Sequence, residues 1–97
     1  MRTIWKFPVP PADTFSLELP RGASFLSVQV QHGQPQAWFL LDPDAEKVTR
    51  HFAVYGTGHP VPKHLILAHY GTFQLYSGDL VLHLFEYQNN PAGAPNG

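Results

Sequence analysis

Tyr70-Gly71-Thr72-Phe73-Gln74-Leu75-Tyr76-Ser77-Gly78-Asp79-Leu80-Val81-Leu82-His83-Leu84-Phe85-Glu86-Tyr87 reads as a β-hairpin. Ser77-Gly78 lies between two runs of strand-favouring residues, and a two-residue loop containing glycine suits the tight reversal that matches strand twist. That turn sets Tyr76 opposite Asp79, Leu75 opposite Leu80, Phe73 opposite Leu82 and Thr72 opposite His83. Side chains alternate across a strand, so Phe73, Leu75, Leu80, Leu82 and Leu84 share a core face. Tyr70, Thr72, Gln74, Val81, His83 and Phe85 share a mixed face, suited to meeting another layer or a partner. The same register puts His69 beside Glu86.

Working outward, Leu65 to Tyr70 is apolar and leads into this hairpin. It follows a punctuated loop, Gly56-Thr57-Gly58-His59-Pro60-Val61-Pro62, and an extended run from Lys47 to Tyr55 in which Arg50, Phe52 and Val54 share one parity. Phe25 to Gln31 and Gln36 to Leu41 make a second hairpin, reversed within His32-Gly33-Gln34-Pro35. Its parity joins Leu26, Val28 and Val30 to Ala37, Phe39 and Leu41, and leaves Ser27, Gln29 and Gln31 beside Trp38 and Leu40. Thr14 to Leu19 alternates as a half-buried strand, and Pro8 makes Ile4 to Val9 an edge strand. Asp42 to Glu46 is a connection with room for one helical turn at most. About seven short strands and no amphipathic helix predict an all-β domain over residues 1–87, a small antiparallel sandwich or barrel. Residues 88–97, with three asparagines, two prolines and two glycines, predict a disordered tail.

Ninety-seven residues suffice for one core, and only 13% of them are charged. A net charge of −1 provides no basic field for nucleic acid. With no cysteine there is no disulfide or thiolate metal site, and no apolar run long enough for a membrane span is evident. A cytoplasmic protein without a cofactor is the expectation.

Three features invite a site. Trp38 among amides can stack a planar ligand, or cover the sheet against a neighbouring segment. The glycines of Gly56-Thr57-Gly58-His59 can aim N–H groups at an anion, with Thr57, His59 and Lys63 as further donors, or can simply supply turn angles. Prolines after that loop exclude the helix a phosphate loop requires. The six histidines show no metal-ligand spacing, and no serine has a nucleophile-elbow context, so neither a metal nor a catalytic residue is assigned. Turn chemistry accounts for most of the carboxylates.

Ile4-Trp5-Lys6, Leu26-Ser27-Val28-Gln29, Trp38, Asp42-Pro43, Tyr55-Gly56-Thr57-Gly58-His59 and Gly71-Thr72-Phe73 together resemble small proteins of unknown function encoded by tailed phages and prophages. The resemblance covers nearly the whole chain up to Glu86 and implies an accessory protein in the cytoplasm of a bacterial host; no catalytic residues come with it. Such proteins act by binding. One expectation is a counter-defence protein sequestering a nucleotide-derived signal, with Trp38 or Tyr55 on the base and Arg50, Gly56, Thr57, Gly58, His59 and Lys63 around the phosphates. The alternatives are a module that blocks a host defence protein or a phage protein, and a minor virion or assembly component. A homo-oligomer fits the apolar surface offered by Trp5, Trp38, Phe85 and Tyr87.

Overall fold

The computed structural model describes residues 1–88, so the predicted tail lies, apart from Gln88, outside the described residues. Seven antiparallel strands form two sheets: β1 (Thr3–Pro8), β4 (Gln34–Leu41) and β3 (Ser24–Gln31) in the order β1-β4-β3, and β2 (Thr14–Pro20), β5 (Lys47–Gly56), β7 (Leu80–Tyr87) and β6 (Leu67–Leu75) in the order β2-β5-β7-β6. This is the all-β sandwich that the alternation predicts. Pro8 lies on an edge strand, where its missing N–H removes no ladder bond that the sheet needs. Among the described residues no helix is long and apolar enough to cross a membrane.

The core lies between the sheets. Phe39, Leu41 and Ala37 from β4 meet Phe52 from β5, Phe73 from β6 and Leu84 from β7, all buried. Their spacing along each strand follows the two-residue period of the pleat. Phe39 meets Phe7, Phe25 and Phe52 edge-on at 5.8, 5.6 and 6.2 Å between centroids, the arrangement that ring quadrupoles favour.

The hairpin turns differ from one another. His32 and Gly33 turn β3 into β4 with φ of 52° and 78°, both left-handed as a type I′ turn requires. The β6–β7 reversal is longer than the predicted Ser77-Gly78 pair. It takes Tyr76 to Asp79, closes with Asp79 N–H donating to the Tyr76 carbonyl at 3.1 Å, and holds Tyr76, Ser77 and Gly78 at positive φ. Leu75 still faces Leu80, and Thr72 still faces His83. At Asp42 the connection is a turn, held by Ala45 N–H on the Asp42 carbonyl and Asp44 N–H on the Asp42 carboxylate.

Two β-bulges correct the predicted faces. In β3 the register shifts between Phe25 and Ser27, which turns Phe25 into the core and leaves Leu26 47% exposed instead of beside Val28. In β6 it shifts between His69 and Gly71, so Glu86 pairs with Ala68 and His69 with Phe85; the expected His69–Glu86 neighbourhood is not formed. Tyr70, the extra residue, leaves the mixed face and packs against the core. An inserted residue reverses the alternation on one side of itself, and a strict two-residue pattern cannot anticipate it.

Between the sheets the second bulge assembles a polar knot. Arg50 Nε and Nη2 donate to the two Glu86 carboxylate oxygens at 2.6 and 2.7 Å, Nη1 donates to the Ala23 carbonyl at 2.6 Å, and the Tyr70 hydroxyl donates to Glu86 Oε1. The guanidinium also lies 5.7 Å from the Phe39 ring centroid. Glu86, only 7% exposed, is thus held by a bidentate cation and a phenol, the satisfaction a buried charge requires.

Candidate functional site

Rows of inward-facing aliphatics run on to the end of the sandwich where β3 turns into β4 and β6 into β7, and there none of the described residues fills the space between the sheets. The result is a cleft of about 620 Å³ with Val54, Phe73, Leu75, Leu80 and Leu82 on its walls and Val9 closing one side. Leu80 occupies an inward register position opposite Leu75 yet remains 37% exposed. The volume lies in the range of small-molecule sites, which are concave and mostly apolar.

A few polar groups ring the opening. Gln34 Nε2 donates to the Val9 and Pro35 carbonyls at 3.0 and 3.2 Å, and Val9 N–H donates to the Pro35 carbonyl at 2.9 Å, so the β1–β2 link is tied to the β3–β4 hairpin. His59 N–H donates to the Gly56 carbonyl at 3.1 Å and its ring folds back over Gly56, where a Cβ would stand 2.8 Å from the imidazole. Glycine at position 56 is therefore the space His59 occupies. Asp13 holds the start of β2 to β5 through its carbonyl, which accepts from Val54 N–H at 2.8 Å, while its carboxylate has no hydrogen-bond or ion-pair partner among the described residues. Tyr76, 75% exposed, completes the lip. Among the described residues neither lysine nor arginine lines this cleft.

The residues singled out in the sequence do not converge. Tyr55, Gly56 and His59 border the cleft. The Tyr55 ring itself packs edge-on against Phe85 at 5.8 Å, and burial together with a hydrogen bond to Tyr55 pushes the Tyr87 phenol up. Thr57 faces the outer side of the four-stranded sheet, where its hydroxyl meets His83 Nε2 at 2.7 Å while Thr72 meets His83 Nδ1 at 2.9 Å. Gly58, at φ 86°, supplies a turn angle, and Lys63 is exposed away from the cleft. Arg50 is committed to Glu86, Ala23 and Tyr70 in the interior. Trp38 lies on the outer face of the other sheet, opposite Lys6 in register, and Lys6 Nζ donates to Gln31 Oε1 at 2.7 Å. A planar ligand on Trp38 and a phosphate at the glycine loop would thus occupy separate surfaces.

Asp13, Tyr76 and Leu80 are among the cleft residues that the sequence reading did not assign to a site. Only the signal for Leu80 was present: the aliphatic face of the Tyr70–Tyr87 hairpin continues to the last pair before the turn, so apolar side chains reach the end of the sandwich. A second, more open groove of about 550 Å³ lies over the four-stranded sheet between His51, Tyr87, Pro62 and Leu65. It is roofed by a loop rather than built from the two sheets. Among the described residues no three potential ligand side chains converge on a metal position.

A family model described as a domain of unknown function, DUF7352, matches residues 1–94. No curated protein and no solved structure matches the chain.

Proposed function

The chain belongs to the DUF7352 family, and we propose that it works as a binding protein whose site is the end cleft between the sheets and whose ligand is a small, largely apolar molecule. The observation that supports this reading is Leu80, an inward-facing aliphatic left 37% exposed on the wall of an open, unfilled space. Apolar surface of that kind gains roughly 25 cal/mol for each Å² removed from water. In the phage setting that the sequence resemblance implies, the protein would hold such a molecule in the host cytoplasm, away from a receptor. With Arg50 occupied and no lysine or arginine among the described residues on the walls, charge favours an apolar signal over a nucleotide.

The test is titration of the full chain with a neutral, environment-sensitive naphthyl dye. Saturable binding at one site per chain is expected, weakened roughly fivefold to tenfold by Leu80→Gln, as follows from losing one aliphatic contact. The same change at Leu26, exposed on the outer face, should leave binding as it was. Adenine and guanine nucleotides should produce no thermal stabilisation. Absence of saturable dye binding, or equal loss in the two variants, would exclude the cleft.

A further inference from the structure

The strand β1 leaves backbone groups unused, and the hydrogen bonds at its end show which ones. Val9 N–H donates to the Pro35 carbonyl at 2.9 Å, and the Val9 carbonyl, facing a proline with no N–H to give, accepts instead from Gln34 Nε2 at 3.0 Å. Val9 and Pro35 are therefore a hydrogen-bonded pair, one step beyond Pro8 and Gln36 in register. Bonded and non-bonded pairs alternate along an antiparallel ladder, so Phe7, Trp5 and Thr3 also turn their N–H and C=O groups towards β4, whereas Ile4, Lys6 and Pro8 turn theirs away. Among the described residues β1 has no second neighbour, and the Ile4 and Lys6 amides and carbonyls form an open edge.

Natural edges are commonly blunted by charge or by proline. Here Pro8 stands at the end of the strand, and the Lys6 ammonium reaches back across β4 to Gln31 on β3, away from the edge. Trp5 is an independent observation. It shares the inward face, opposite the fully buried Phe39, and yet is 37% exposed, while Phe7 two residues on packs against the core. At the free edge of the other sheet, Phe15, Leu17 and Leu19 of β2 all reach the core. Trp5 is thus the inward edge residue that the described chain leaves partly uncovered.

We propose that its cover is a second copy of this chain, with the two β1 strands antiparallel and the two Trp5 side chains opposite one another. The register follows from the strand itself. Centred on Trp5, Ile4 faces the second copy's Lys6, and each such pair exchanges two backbone hydrogen bonds because both residues point outward. Only the outermost pairs, Arg2 with Pro8, lose a bond to proline. Centred on Ile4 or on Lys6, basic side chains would stand directly opposite each other, Arg2 against Lys6 or Lys6 against Lys6. Centred on Phe7, every pair of Lys6 with Pro8 would lack a donor. The two three-stranded sheets become one of six strands, through an interface small enough for the dimer to be weak.

Sedimentation equilibrium of the full chain tests this. The average mass should climb from one chain towards two between ~1 and ~1,000 μM, the range suited to a small interface. Ile4→Pro removes an N–H that bonds nothing within the described chain and sets a ring in the path of the incoming strand, so it should stay monomeric with its unfolding midpoint nearly kept. Ser16→Pro is the matching change on β2, where the Asp13 carbonyl bonds Val54 and Arg21 N–H bonds Glu46, so that the even-numbered residues face the free edge; it should dimerise like the parent. The chain has no cysteine, so Trp5→Cys reads the register. Mild oxidation should join two copies at position 5, where a non-bonded pair lies within disulfide reach, and far less through Ile4→Cys or Lys6→Cys. A chain that stays monomeric to the highest concentration, a dimer that tolerates Ile4→Pro or is lost equally in Ser16→Pro, or cross-linking that does not favour position 5 overturns the proposal.

Discussion

Phe25 and Tyr70 stack face to face across the two sheets, with 4.2 Å between ring centroids and 10° between planes, and each owes its inward position to a β-bulge in its own strand. The bulges join the edge strands β3 and β6, closing one side of the sandwich. Replacing both rings with leucine, singly and together, should reveal a coupling of about 0.5–1.5 kcal/mol in denaturant unfolding, the usual range for an aromatic pair. Strictly additive losses would mean that the two bulges are stabilised independently.

Gly71 follows the bulge and lets the same two strands approach. A Cβ there would stand 2.7 Å from Val28 Cγ1, and valine has no flexible end to move aside. Gly71→Ala should therefore destabilise by about 1–3 kcal/mol, as overpacking does. Combined with Val28→Ala it should cost less than the sum of the two changes, a difference readable from unfolding midpoints. A harmless Gly71→Ala would show that β3 and β6 are free to separate.

The two ion pairs of the described chain should respond very differently to neutralisation. Glu86 is buried with Arg50, whose side chain is 20% exposed, whereas Arg21 and Glu46 are 64% and 71% exposed at 2.8 Å. Glu86→Gln leaves a largely desolvated guanidinium without its counter-charge and should cost about 3 kcal/mol or more. Glu46→Gln should cost less than about 1 kcal/mol. Equal losses in chemical denaturation would argue that water reaches Glu86.

Strand number, strand order within the hairpins and the identity of most core residues were legible because alternation and glycine punctuation are local signals. The bulges were not, since Leu26 and Tyr70 are apolar and suit either face of a strand. That single gap hid the Phe25–Tyr70 stack and assigned His69, rather than Arg50 and Tyr70, to Glu86. Arg50 was visible on the inward parity of Phe52 and Val54, yet an inward arginine is informative only once its carboxylate is located. The glycine loop was marked for its backbone; its place at the cleft depends on the chain ends and turns that meet it there. Asp13 and Tyr76 belong to turns far apart in the chain, and only the folded sheet sets both on the border of one cleft, at opposite edges.

Tyr70 predicts how stability falls in alkali. Burial, then its hydrogen bond to the Glu86 carboxylate, pushes the phenol up from 10 to about 12, outweighing the nearby Arg50 charge. The folded protein thus holds this proton more tightly than the unfolded chain between those values, and stability must decline as pH rises through that window. The contribution is complete below pH 10 and is lost as pH climbs through about 12. Tyr87, also raised by burial and Tyr55, adds a slope of the same sign, while Arg50 is pushed higher still by Glu86 and keeps its charge across the window. Unfolding free energies measured from pH 9 to 12 should fall less steeply in Tyr70→Phe than in the parent chain, with the Tyr87 portion remaining. Identical slopes would place the Tyr70 hydroxyl in solvent rather than on Glu86.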